Sequence, residues 1–220
     1  MDYSGPEAAD FANVTSLNHA FLLNLRQTVR GQSLRQKMTL RVQSIVRELT
    51  DLQLNRLSVT PFLLMSLRER DDMYWQTLFG EDASRDMFDC TAIEPETEQL
   101  ATAGVAFLWQ LARQNPYAAR LLSGATIRWC EELADRTLLQ LLQQTCGRND
   151  LLQPRFADNE EFWSKLLGPG LSSEVQVRNA AHLAALQSIM TEDPIAQYRP
   201  LKAAACNTLV PSLRLAERKD

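Results

Sequence analysis

The chain has 220 residues, 27 acidic and 23 basic side chains, a net charge of −4 and 45% hydrophobic residues. That length allows one large or two small domains with a sizeable core. The negative balance argues against holding nucleic acid by bulk charge, and no apolar run reaches the ~18 residues of a membrane span. Leu and Ala are abundant, Gly is scarce, and no run alternates apolar with polar as a half-buried strand does. The expectation is an all-α protein, a bundle of about nine to ten helices.

In chain order, residues 1 to 12 read as a loose acidic lead. A first helix is expected from Ser16 to Arg30, with Phe21, Leu22 and Leu25 on its apolar face and Gly31 as its stop. A second, capped by Ser33, carries Leu34, Met38, Val42, Ile45, Leu49 and Leu52 at near-heptad steps. Leu34, Met38, Val42, Ile45 and Leu49 make a narrow seam suited to a partner helix in the same chain or another subunit. Thr60-Pro61 reads as cap and first helical residue of a third helix with Phe62, Leu63, Leu64 and Leu67. Tyr74, Trp75, Leu78 and Phe79 form a short aromatic segment of core type.

Residues 80 to 95 are acidic and make the natural link between halves. A helix then runs to Gln114, another starts at Asn115-Pro116 and stops at Ser123-Gly124, and a third covers Ala125 to Asp135. Thr137 caps the helix of Leu138, Leu141 and Leu142, which Gly147 and Asn149 break. Asp158 and Glu161 have capping-box spacing ahead of Phe162 and Trp163. Gly168-Pro169-Gly170 ends that helix. Ser172 opens a last one with Val175, Ala181, Leu183, Leu186 and Ile189, followed by a proline-containing tail.

The order of parts repeats. Residues 20–27 resemble 106–113, Leu54 to Ser58 resemble Leu133 to Thr137, and Phe79 to Asp82 resemble Phe156 to Asn159. The chain therefore divides into a first helical repeat at 1–90, a second at 91–170, and a C-terminal helix and tail at 171–220.

Catalytic equipment is sparse. The two histidines, His19 and His182, lie on expected helices, and there is no HExxH, phosphate-binding glycine loop or G-x-S-x-G elbow. Glu131, Glu132 and Asp135 read as a solvated helix face. Cys90, Cys130, Cys146 and Cys206 include no CxxC pair and no zinc spacing. These observations lead us to expect no enzymatic activity, cofactor, metal or small-molecule substrate. They also lead us to expect four reduced thiols in a cytoplasmic protein with neither signal peptide nor membrane span.

Charge is segregated. From Phe11 to Arg47 there is no acid but there are six bases, Arg26, Arg30, Arg35, Lys37, Arg41 and Arg47. Residues 81–98 hold seven acids and one base. The basic set is the candidate surface for nucleic acid or another anion. A solvated face, or one covered by the acidic segment, is the alternative.

Thr137-Leu138-Leu139-Gln140-Leu141-Leu142, then Asn149 to Leu152, Phe156 and Asp158, resemble a segment of the FlhD family, the D subunit of the bacterial flagellar master regulator. That family has a Leu-Thr-x-x-Gln helix followed by a stretch ending Phe-Arg-Phe-Asp. Leu17 to Leu23 look like its opening helix, and Leu57-Ser58-Val59-Thr60-Pro61 look like its Leu-Thr-x-x-Gln start, with Pro61 in place of the glutamine. The resemblance covers residues 15–82 and part of 102–160. It implies an all-helical pseudo-dimer and a role in bacterial transcription regulation through a protein partner or homo-oligomer, with DNA contact possible. A helical adaptor, chaperone or anti-regulator without a nucleic-acid role is the other reading.

Overall fold

A computed structural model describes residues 5–27, 32–80 and 95–191. The fold is all-α, and the described residues up to Met190 form one compact unit. The helices are α1 (Ala8–Arg26), α2 (Gln32–Gln36), α3 (Leu40–Arg47), α4 (Asp51–Ser58), α5 (Asp72–Gly80), α6 (Pro95–Gln114), α7 (Pro116–Ser123), α8 (Ile127–Ala134), α9 (Leu138–Thr145), α10 (Glu160–Leu167) and α11 (Val175–Thr191). Two short strands, β1 (Met65–Ser66) and β2 (Gln153–Pro154), pair antiparallel, and Pro169–Leu171 is a 3-10 turn.

Several boundaries differ from the sequence reading. The supposed lead is helical from Ala8, because Glu7 caps α1 in a capping box with Asp10. The single helix expected from Ser33 to Leu52 is three. Thr39 stands at the cap of α3, and Thr50 caps α4 in a capping box with Gln53, so the chain turns twice where a continuous seam was read. Thr60-Pro61 opens no helix: residues 60–71 run through an irregular stretch containing β1. The cap of α10 is Asn159, whose side chain accepts from the Phe162 N–H, and not Asp158.

The second half matched expectation more closely. Asn115 caps α7, with Pro116 in its first turn and Gly124 in the left-handed region at φ 70°, where a side chain would be strained. Thr137 caps α9 in a capping box with Gln140.

The described chain contains one plan twice. A long helix, three short ones, a two-residue strand and an aromatic helix occur as α1-α2-α3-α4-β1-α5 and again as α6-α7-α8-α9-β2-α10. The boxes of Thr50 with Gln53 and Thr137 with Gln140 stand 87 residues apart, 137 less 50. At that separation the buried positions of α1 at 14, 18, 21, 24 and 25 fall on the buried 101, 105, 108, 111 and 112 of α6. Those of α4 at 54, 57 and 58 fall on 141, 144 and 145 of α9. One extra residue in the second loop makes the separation 88, 153 less 65, from β1 and β2 onward. Trp75 and Leu78 then match Trp163 and Leu166, all buried. The residue matches read from the sequence were out of this register, by one position for the first helix and by eight or more for the other two.

One core spans both copies. In the first, α1 packs on α2, α3 and α4, and in the second α6 packs on α7, α8 and α9. The copies meet where α1 touches α6 and where β1 pairs with β2. Their aromatic helices cross over. Trp75 of α5 stacks edge-on with Trp129 of α8 at 5.3 Å, and the Arg136 guanidinium lies 3.8 Å over the Phe79 ring. In return α10 packs on α3. Helix α11 adds Ala185 and Ile189 to the core.

Candidate functional site

The strand pair is one of the places where the two copies meet. Met65 faces Pro154 and Ser66 faces Gln153. Since Gln153 and Pro154 are the counterparts of Met65 and Ser66, each strand meets its own copy, as in the isologous contact of a twofold dimer. A two-residue ladder holds little by itself. Buried polar side chains on either side of it satisfy the irregular backbone of residues 58–69.

Asn18, fully buried on α1, is the first of these. Its Nδ2 donates to the carbonyls of Phe62 at 2.8 Å and Ser58 at 3.3 Å and to Thr60 Oγ1 at 3.0 Å, while its Oδ1 accepts from Leu64 N–H at 2.8 Å. Arg155 is the second. Its Nε donates to the Leu63 carbonyl at 2.6 Å and its Nη2 to that of Met65 at 2.9 Å, and its Nη1 lies 2.8 Å from Glu69 Oε1. Glu69 Oε2 accepts from Ser66 Oγ and Leu67 N–H, each at 2.8 Å. The two charged side chains are 3% and 1% exposed, so the pair is desolvated and its hydrogen bonds matter more than its charge attraction.

Each copy also repeats a turn. Arg68 (φ 56°) and its counterpart Phe156 (φ 45°) are left-handed without being glycine. The indole Nε1 of Trp75 donates to the carbonyls of Leu67 and Arg68, both at 3.1 Å. The indole Nε1 of Trp163 donates to that of Arg155 at 2.9 Å. The indoles thus hold a backbone conformation that is unfavourable for branched or bulky side chains. Beside the first turn, Arg68 pairs with Asp71 and Asp150 and lies 4.0 Å over the Tyr74 ring. Burial, then the Asp150 carboxylate, pushes the Tyr74 hydroxyl up to about 12.

Among the described residues of the basic segment, Arg35 is buried, and Arg26, Lys37 and Arg41 have partners within the chain. The Arg35 guanidinium is buried and donates to the carbonyls of Leu25 and Gln27, closing the end of α1. Arg26 pairs with Asp51 at 2.6 Å and donates to the Leu49 carbonyl at 3.2 Å. Lys37 reaches the Leu152 carbonyl at 3.3 Å, and Arg41 pairs with Glu160 at 2.9 Å. Arg47 is exposed, and Arg30 lies outside the described residues, as does most of the acidic segment. An arginine within the core cannot meet a phosphate, so Arg35 is withdrawn from the candidate surface. The seam also faces inward: Leu34, Met38, Val42 and Leu49 are core residues of this chain, and Ile45 is half-buried. In place of the seam, Leu52 and Leu139 stand out on the surface. They are counterparts on α4 and α9, inside the two capping boxes, and are 60% and 58% exposed.

Among the described residues no group of three His, Cys, Asp or Glu side chains is placed to hold a metal ion. His182 is buried and hydrogen-bonded to the Gly170 carbonyl at 3.1 Å, a structural contact. Burial pushes the Cys130 thiol up to about 12, with Glu69 adding to the effect, so it is a poor nucleophile. The expectation of four reduced cysteines fails at Cys146, which is disulfide-bonded; Cys90 and Cys206 lie outside the described residues. No described helix is long and apolar enough to cross a membrane. The chain matches no family model, no curated protein and no solved structure.

Proposed function

We propose that the chain is a bacterial regulatory protein of the FlhD type, acting in transcription control by holding a protein partner. Its two fused copies take the place of the two subunits of a dimer. The observation that carries this reading is the Thr-x-x-Gln capping box, present in register in both copies and followed in each by the strand and the aromatic helix. In the first copy the box belongs to Leu49-Thr50-Asp51-Leu52-Gln53, which has the family's Leu-Thr-x-x-Gln pattern with its glutamine intact. Leu57 to Pro61, where the sequence reading put that motif, is the end of α4 and the loop after it. The exposed Leu52 and Leu139 are the residues with which we expect the partner to make contact, because an exposed leucine at the same place in both copies has no role in the core.

The scatter of Arg26, Arg35, Lys37 and Arg41 among internal partners favours a protein partner over direct DNA binding by this chain. It equally supports an adaptor or anti-regulator with no nucleic-acid role. A cytoplasmic place belongs to the proposal and entails that the Cys146 disulfide opens under reducing conditions.

Transcript profiling of a host strain lacking the gene is the test. The reading expects a defined set of transcripts to shift, to be restored by the parent protein, and to stay shifted with Leu52→Glu/Leu139→Glu. An unchanged transcript profile would overturn it in favour of the adaptor reading.

A further inference from the structure

The strand pairing at the junction between the copies is symmetric in register, but the charges beside it are not. β1 and β2 meet as like strands, but the side chains next to them have diverged. Arg155 stands where the first copy has Leu67, and Glu69 stands where the second has Ala157. Arg155 crosses the junction to bond the carbonyls of Leu63 and Met65 and to pair with Glu69. On the other side of the pseudo-twofold the corresponding place is apolar, with Leu67 1% exposed.

We propose that Glu69 and Arg155 are the specificity-determining pair of this junction, making a first copy recognise a second copy and reject its own kind. Two first copies brought together by the same strand pairing would bury two Glu69 carboxylates and supply no Arg155. Two second copies would bury two Arg155 guanidinium groups and supply only Ala157 opposite them. Each like pairing therefore leaves two like charges desolvated and without a counter-charge, the repulsive element that specificity requires. The unlike pairing is the one arrangement in which each buried charge meets an opposite one. The crossing of α5 onto α8 and of α10 onto α3 enlarges the contact in both directions.

The full chain can be made to report on this. A protease site is inserted between Gly80 and Pro95, the purified protein is cut, denatured in urea and refolded, and the fragment pairs are weighed by native mass spectrometry. The parent protein is expected to return unlike pairs almost alone. The variant Glu69→Ala/Arg155→Leu, which gives each copy the residues of its counterpart, is expected to return like pairs as well, approaching the statistical mixture. Comparable like and unlike pairs from the parent, or fragments that do not reassociate, would overturn the proposal. So would a double variant that still pairs only unlike fragments.

The uncut chain gives an independent reading. Arg155→Leu and Glu69→Ala should each lower the urea midpoint, because each strands one buried charge. The double variant should recover most of the loss. Losses that simply add would show that the two side chains do not act as a pair, and would overturn the proposal as well.

Discussion

Replacing Asn18 should be among the most damaging single changes in the protein. Its amide makes four hydrogen bonds to the segment that carries β1, with Phe62 O and Leu64 N–H both at 2.8 Å. At the matching place α6 has Val105, so helix geometry does not require the polar side chain. In Asn18→Ala, the Leu64 N–H and the Phe62 carbonyl lose a buried partner. An orphaned buried backbone group costs ~1–3 kcal/mol, and partial relaxation or an entering water recovers some of that. The expected loss is about 3–5 kcal/mol, read by urea denaturation followed by tryptophan fluorescence. Asn18→Val should lose a similar amount although it fills more of the space, because the deficit is polar. A loss below about 1 kcal/mol for both variants would refute the claim that Asn18 anchors the strand segment.

Leu141→Ala should cost about 2–5 kcal/mol, whereas Leu139→Ala, two residues away on the exposed face of α9, should change stability by less than about 0.5 kcal/mol; equal effects would mean that the face is misassigned. Arg35→Glu should be severely destabilising, because it places a carboxylate against the carbonyls of Leu25 and Gln27 in the core. Arg41→Glu, which replaces the solvent-exposed pair with Glu160 by two screened like charges, should cost no more than about 1 kcal/mol; thermal melts of the two side by side decide it. Burial holds His182 below its ordinary pKa, so the unfolded chain takes up the proton more readily than the folded one. Stability linked to this residue is therefore complete above about pH 6.5 and declines as pH falls below that value toward the folded pKa. His182→Gln should flatten this part of the pH–stability curve, and an unchanged slope would exclude His182 as its source.

Much of the second copy could be read in the sequence because its helix ends carry strong local signals. Asn115-Pro116, Gly124 and Thr137 each act through a cap, a fixed φ or a left-handed turn, and each lies where those chemistries demand. The first copy was harder to read for a physical reason. Leu34, Met38, Val42 and Leu49 keep helical spacing across two breaks, and apolar spacing does not show that Thr39 and Thr50 have ended one helix and begun another. Thr60-Pro61 carries a true start signal that tertiary contacts override: Asn18 and Arg155 offer residues 58–65 better partners than a helix would. The duplication was legible, but its register was not. Leucine matches leucine at many offsets, and only the paired boxes at Thr50 and Thr137, with Trp75 and Trp163, select one.

The candidate site was less legible than the fold. A run of bases without acids does not reveal in sequence that Asp51, Glu160 and the carbonyls of Leu25, Leu49 and Leu152 come to it through folding. The Glu69–Arg155 pair had no local sequence signal, since its members are far apart in the chain. The signal that could have found it is the internal alignment, in which Arg155 falls opposite Leu67 and Glu69 opposite Ala157. Likewise Leu52 and Leu139 look like core leucines until the burial of Leu54 and Leu141 fixes which way each helix faces.

One chain contains, between its own halves, the kind of contact that a twofold dimer makes between subunits. Its mass in solution, by sedimentation equilibrium over a hundredfold range of concentration, tests this most directly. A single species at the chain mass of 24.9 kDa is expected throughout, since the strand pairing and the crossed helices are already satisfied within one chain. An obligate species of twice that mass, with no monomer at the lowest concentration, would contradict it.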